Sequence, residues 1–341
     1  MYDLVRVENL AKEYPGFALD RVSLSVPAGC VTGFIGSNGA GKTTTIKAIL
    51  GLIRPSAGNV ALFGELVCGF TEAEDLSTDS KNMANENGAA ATGGASSANP
   101  ATAPAPASPA GPAPQVHDAA LVRAKARIGV VFDTCPFPSE LCVSDVERVG
   151  RFAFPTWERG VFERYARQFD LDAKKRVKEL SRGMGMKLQL AFALAHAPEL
   201  LILDEVTAGL DPMARDEVLD ILRAFMADER RGILMSSHIT SDLEKIADYA
   251  VCIDKGRVMF DCAVDAICDI AGVARCGAEQ ARAIVESGTF APGSLRVMAG
   301  AYAHEVLVPD RALLSRRFPK VACERVGIED YMRLMLKGEA R

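Results

Sequence analysis

Gly36-Ser37-Asn38-Gly39-Ala40-Gly41-Lys42-Thr43 lies between an apolar run, Val31–Ile35, and a helix-forming stretch over residues 44–50. Strand, glycine-rich turn and helix in that order make a phosphate-binding loop. The glycines Gly36, Gly39 and Gly41 let the backbone pass close to a triphosphate, and the amides of Ser37, Asn38, Ala40 and Thr44 join the positive end of the helix in facing its charge. Lys42 is placed to reach the β- and γ-phosphates, and the Thr43 hydroxyl to hold Mg²⁺. An α/β fold organised around the strand before this loop follows from the same pattern.

Other polar residues stand at the ends of apolar runs. Residues 200–203 read as a buried strand ending in Asp204-Glu205, and adjacent carboxylates are costly there unless they have work to do. Asp204 suits orienting Mg²⁺ or its water, and Glu205 suits polarising an attacking water. Residues 233–236 read as another strand carrying Ser237-His238, where a histidine can sense a γ-phosphate. Strand 128–132 ends at Asp133. Ser181 is a good N-cap for the helix that opens at Leu180-Ser181-Arg182-Gly183-Met184. Tyr14 falls in the loop between two short strands, 4–7 and 22–26, and becomes a stacking platform for an adenine ring once the phosphate loop is accepted.

Composition narrows the class. The 341 residues carry 39 Lys and Arg against 44 Asp and Glu, a net charge of −5, and lack the basic stripe of a nucleic-acid binder, so no nucleic-acid partner is expected. No stretch approaches the ~18 consecutive apolar residues of a membrane-spanning helix, and the beginning, MYDLVRVENL, has no secretory pattern. The nine cysteines include no C-x-x-C pair and read as reduced thiols with no zinc-ligand spacing. A cytoplasmic protein is expected.

The chain divides by composition. Residues 71–118 are mostly Ala, Ser, Pro, Gly, Asn and Thr, and no Phe, Tyr or Trp occurs between Phe70 and Phe132. Such a tract buries too little apolar surface to offset its ordering entropy and reads as a disordered insertion. Residues 134–198 read as largely helical. Residues 249–253 and 257–260 read as a hairpin turning at Asp254-Lys255-Gly256. Beyond Asp261, helices over 263–270, 279–286 and 329–336 and a strand pair, 295–298 with 304–308, suggest a small α+β extension over 262–341. His304 reads as structural there.

The phosphate loop (a Walker A motif), LSRGM, LLILDE, AGLDP and SSH follow one another in the order and spacing of an ATP-binding cassette. Residues 1–261 therefore resemble the nucleotide-binding subunit of an ABC transporter. The wording ELSRGM, MKLQLA, HITSDLEKIADY and a tail containing VGIEDYMRLMLKGE resemble bacterial ATPases that pair with separate exporter permeases. The resemblance implies a P-loop ATPase core of mixed sheet, with an antiparallel β subdomain and a helical signature subdomain. It implies ATP and Mg²⁺ as ligands, and a head-to-tail dimer, homodimer or heterodimer, with each ATP between one Walker A loop and the other signature. Glu205 would be the catalytic base, His238 the γ-phosphate switch, Asp204 and Thr43 the Mg²⁺ residues with Asp133 beside them, and Ser181, Gly183 and Asp211 the contacts across the dimer. The protein would sit peripherally on the inner face of the plasma membrane through its permease and drive export.

Three departures bear on hydrolysis. Asp133 stands where the family usually has the Q-loop Gln, Arg182 and Met184 replace the usual Gly and Gln of the signature, and Val206 follows the Walker B Glu in place of Pro. Two alternatives remain: a soluble cassette ATPase acting on ribosomes or DNA, and a nucleotide-dependent regulator that scarcely hydrolyses.

Overall fold

Two long strands, β1 (Asp3–Tyr14) and β2 (Phe17–Pro27), pair antiparallel around a tight turn at Pro15 and Gly16. Both exceed the short strands expected from alternation. Asn9 and Arg21 take left-handed backbone angles, and the register shifts on either side of Leu10, so the period-two pattern is broken although the pairing continues. Tyr14 is therefore not in a loop; it is the last residue of β1, paired with Phe17. The computed structural model describes residues 2–69, 115–300 and 303–341.

β3 (Val31–Ile35) is buried along its whole length and runs through the phosphate loop into α1 (Lys42–Ile49). β4 (Ala57–Leu62), β5 (Glu65–Gly69) and β6 (Gln115–Val116) widen the antiparallel sheet, ordered β2-β1-β4-β5-β6. Of the tract 71–118 expected to be disordered, residues 71–114 lie outside the described residues. Its last four residues are structured, with β6 pairing against Cys68 and Gly69 and α2 (Asp118–Lys125) following.

The chain then enters the second sheet at β7 (Ile128–Val131). A helical layer follows, made of α3 (Val143–Ala153), α4 (Arg159–Gln168) and α5 (Arg182–Leu194). Trp157 joins it with its ring tilted at 59° to Phe192, 5.1 Å between ring centroids, and packed against Gly150, where a Cβ would come within 2.2 Å of the indole. The sheet is completed by β8 (Leu200–Asp204), α6 (Pro212–Phe225), β9 (Gly232–Ser237), α7 (Thr240–Glu244), β10 (Tyr249–Asp254) and β11 (Arg257–Ala263). Its order is β11-β10-β3-β9-β8-β7, parallel except for β11.

Alternate residues of the parallel strands feed two cores. Phe34, Leu200, Ile202 and Leu234 face the antiparallel sheet and α1, whereas Ile35, Leu201, Leu203 and Met235 face α5 and α6. Each such side chain contributes about 1.5–3 kcal/mol by burial. The register sets Ile35 beside Ser237 and Asp204 beside Ser236, so the loops leaving β3, β8 and β9 emerge together at one edge.

Residues 264–341 form a third sheet, ordered β15-β12-β14-β13-β16, from β12 (Gly272–Cys276), β13 (Arg296–Ala299), β14 (His304–Val308), β15 (Cys323–Arg325) and β16 (Glu339–Ala340). The helix expected over 263–270 is present from residue 264 and closes as a π-helix over Ala266–Ile270, with Ala263 still the last residue of β11. α8 (Ala278–Glu286) and α9 (Arg311–Arg317) cover one face around Ile284, Val306 and Leu314, while Val273 and Leu307 join the core of the parallel sheet. α10 (Ile328–Lys337) packs on α7, its first amide donating to Glu244 Oε1 at 2.5 Å, with Tyr331 edge-on to Phe260. His304 sits on β14 between Cys276 and Ala299.

Candidate functional site

A cavity of about 710 Å³ opens at that edge, lined by Gly16, Phe17, Ser37, Asn38, Gly39, Gly41, Lys42, Thr43, Thr44, Asp133 and Glu205. Its floor is the phosphate loop, in which Gly36 and Gly41 are required by space as well as by angle, and Gly39 by its φ of +80° alone. A Cβ on Gly36 would lie 2.3 Å from the Ile253 carbonyl oxygen, and one on Gly41, whose φ is +119°, would lie 2.7 Å from Leu19. Ala40 is buried against the loop, its amide bonded to the Ser37 carbonyl.

The Lys42 ammonium is folded into the loop. It donates to the carbonyls of Gly36 at 2.7 Å and Ser37 at 3.3 Å, and lies 3.4 Å from Glu205 Oε1. Thr43 Oγ1 donates to Asp204 Oδ2 at 2.8 Å, and the buried Ser236 hydroxyl donates to Asp204 Oδ1 at 2.6 Å. Asp204 is thus fixed through both oxygens. Glu205 has φ of +56°, an unfavourable angle for a residue with a Cβ, held by its amide bonding to the Ser236 carbonyl and hydroxyl. That bend turns its carboxylate into the cavity, where Oε2 meets His238 Nδ1 at 2.5 Å and the His238 amide at 3.3 Å.

Two sets of contacts, Thr43 with Asp204 and Lys42 with Glu205 and His238, are therefore joined through Ser236, which bonds both Asp204 and the Glu205 amide. Asp133 lines the same cavity, with its carboxylate in an ion pair with the Arg182 guanidinium. Tyr14 is outside the lining, half-exposed, with the Lys12 ammonium 5.6 Å from its ring centroid. Phe17, its cross-strand partner, is in the wall, with its ring edge 3.1 Å from where a Gly41 Cβ would stand. Sequence reasoning missed Phe17, although an aromatic residue just past a Pro-Gly turn was a signal that both strand ends carry a ring. Ser181 accepts from the Met184 amide at 3.2 Å and caps α5, and Asp211 accepts from Ala214 at 3.0 Å and caps α6. Ser181, Gly183 and Asp211 are outside the cavity lining.

The bacitracin transport ATP-binding protein BcrA of Bacillus licheniformis is 30% identical over 262 residues, an alignment covering 76% of this chain and 69% of that one. The chain belongs to the ABC transporter family. The family model described as ABC transporter matches residues 19–89 and 112–208. The daunorubicin/doxorubicin resistance ATP-binding protein DrrA of Streptomyces peucetius is 30% identical over 263 residues, with 75% of this chain and 64% of that one aligned. Among solved structures, the ATP-binding subunit of an ABC transporter matches with a TM-score of 0.57 and 24% identity, over 77% of this chain and 91% of that one. The dimeric bacterial ABC transporter cassette MJ0796 matches at 0.57 and 18% identity, over 76% and 98%. The fold is that of an ATP-binding cassette.

Of the positions where this ABC transporter chain departs from the family pattern, Val206 is wholly buried. Asp133 and Arg182 meet each other. Gln189, two turns beyond Arg182 on α5, holds the Phe132 backbone from both sides, accepting from its amide at 2.9 Å and donating to its carbonyl at 3.1 Å.

Proposed function

We propose that this chain binds and hydrolyses MgATP between two cassettes and so drives export through a separate membrane permease. The observation that carries the reading is a cavity lined by the phosphate loop and by Glu205, to which His238 is bonded, with no residue of the helix that begins at Ser181 among its described lining residues. Ser181 and Gly183 begin α5 outside the lining, so a second cassette, a copy or a paralogue, would supply that end across the interface. Closure is then a population shift, because only the closed pair binds ATP through both halves.

Within the site, Lys42 exchanges loop carbonyls for β- and γ-phosphate oxygens. Thr43 and Asp204 offer hard oxygen donors, as Mg²⁺ prefers, and would hold it together with nucleotide oxygens. When bound, Mg²⁺ neutralises charge on the phosphates. Glu205 takes the proton of the attacking water, and His238, bonded to it, orients the carboxylate and meets the γ-phosphate. Phe17 is the ring that the wall offers to a nucleobase. Phe17→Ala should raise the Kd for MgATP about tenfold, as loss of one aromatic stack does, and Tyr14→Ala less, both read by calorimetric titration. An equal or larger loss for Tyr14→Ala would return the stacking role to it.

A permease needs a surface that feels the nucleotide. Phe132, next to the cavity residue Asp133, lines an apolar groove of about 300 Å³ with Leu52, Phe137, Phe154 and Phe192, which supports docking there. Among the described residues no helix is long and apolar enough to cross a membrane, so the inner-face location proposed here is peripheral. The relatives' names include transport of bacitracin and resistance to daunorubicin, which supports export as the direction. The test is affinity purification of a tagged Glu205→Gln variant from native membranes with MgATP. Recovery of a polytopic membrane protein is expected, and recovery of ribosomes or of the chain alone would overturn the reading.

A further inference from the structure

Arg182 is the first residue of α5, next to the capping Ser181, yet its guanidinium turns back to Asp133 on the cavity wall. Its side chain also lies against the turn before α6, where a Cβ on Gly209 would stand 3.5 Å from Nη1 and 3.7 Å from Cδ. One guanidinium therefore joins three loops. Gln189 lies seven residues later on the same helical face and grips Phe132, the neighbour of Asp133. α5 thus holds the segment 132–133 at two points.

The charges give this arrangement its consequence. An unpaired carboxylate at Asp133 would face a triphosphate across the cavity with nothing between like charges but water and Mg²⁺. The paired Arg182 cancels that charge. Both partners are about half exposed, 54% for Arg182 and 46% for Asp133, so the pair itself adds little to folding stability. Its effect falls on what enters the cavity.

We propose that Arg182 is a positioning residue for the nucleotide reaction, acting through Asp133: it neutralises the cavity wall and fastens that wall to the helix that begins at Ser181. The inference rests on the proposed reading of the cavity as an ATP site. It assigns Arg182 a task within its own subunit, distinct from a phosphate contact across the dimer.

The test is a double-mutant cycle in the full chain, reading KM and kcat for MgATP together with the unfolding temperature without nucleotide. Arg182→Gln should raise KM about tenfold with kcat changed less than about threefold, because repulsion acts on the entering nucleotide. Asp133→Asn in that background should bring KM back to within about twofold of the parent, and Arg182→Lys should keep most of the parent KM. The Arg182→Gln penalty should shrink as salt rises from about 0.05 to 0.5 M, as a charge effect does and a folding defect does not. An unchanged KM in Arg182→Gln overturns the inference. So does a loss that Asp133→Asn leaves in place, the result expected if the arginine served only as a phosphate contact across the dimer. Absence of MgATP binding by the parent would instead overturn the reading beneath it, and calorimetry on the parent separates that case from the others.

Discussion

Glu205→Gln is expected to lower steady-state ATP turnover by about 10²–10⁴-fold, the usual contribution of a positioned general base, while MgATP still binds. The amide nearly matches the carboxylate in shape, so a bond from His238 to the side-chain oxygen and the bend at φ +56° can both persist. What is lost is the ability to take a proton from water. Phosphate release should fall toward background, and size-exclusion chromatography with MgATP should show a pair of cassettes that does not dissociate, because hydrolysis no longer removes the nucleotide that holds it closed. Turnover within about threefold of the parent would remove Glu205 from the role of base and leave His238 or a water held by Asp204 to carry it. His238→Ala separates those two, since loss of turnover there with Glu205 intact would point to the histidine.

The phosphate loop was legible because its glycines answer to local geometry. A Cβ at Gly36 or Gly41 collides with neighbours, and no distant contact has to be known to see that a glycine-rich turn between a strand and a helix makes such demands. Asp204, Glu205 and His238 were legible for a related reason: each ends an apolar run, and parallel strands deliver their ends to one edge. Their mutual geometry was not legible. The Ser236 hydroxyl on Asp204 and the bend at Glu205 depend on the pairing of β8 with β9, across more than thirty residues. The extent of β1 and β2 was hidden by bulges that break alternation. β5 and β6 were hidden by the segment 70–114 between them, and β12 and β15 are short strands whose partners are far along the chain. Asp133 and Arg182 could be seen singly as departures from a family pattern, but their contact joins a strand end to a helix start 49 residues later.

Lys42→Ala should weaken MgATP binding about ten- to a hundredfold, the range that follows from losing charge-assisted hydrogen bonds of ~1.5–3 kcal/mol. The ammonium is nearly buried and already satisfied by the Gly36 and Ser37 carbonyls and by Glu205, so ATP has to compete with the loop for it. The gain on binding is therefore a difference, and it is largest where the phosphates bring more negative charge than one carboxylate can. Alanine removes the phosphate contact and also leaves Glu205 Oε1 without the Lys42 cation, adding an unpaired negative charge close to where the triphosphate would lie. Lys42→Arg keeps the charge but not the compact head that fits inside the loop, so it should recover only part of the affinity. The measurement is an equilibrium titration of the full chain with MgATP, supported by the rise in unfolding temperature that ligand binding produces. The parent should show that rise and Lys42→Ala should lose most of it at the same nucleotide concentration. An unaltered affinity in Lys42→Ala would mean that the loop binds something other than a triphosphate, because among the described residues the lysine is the one cation in the cavity lining and a triphosphate cannot be indifferent to it.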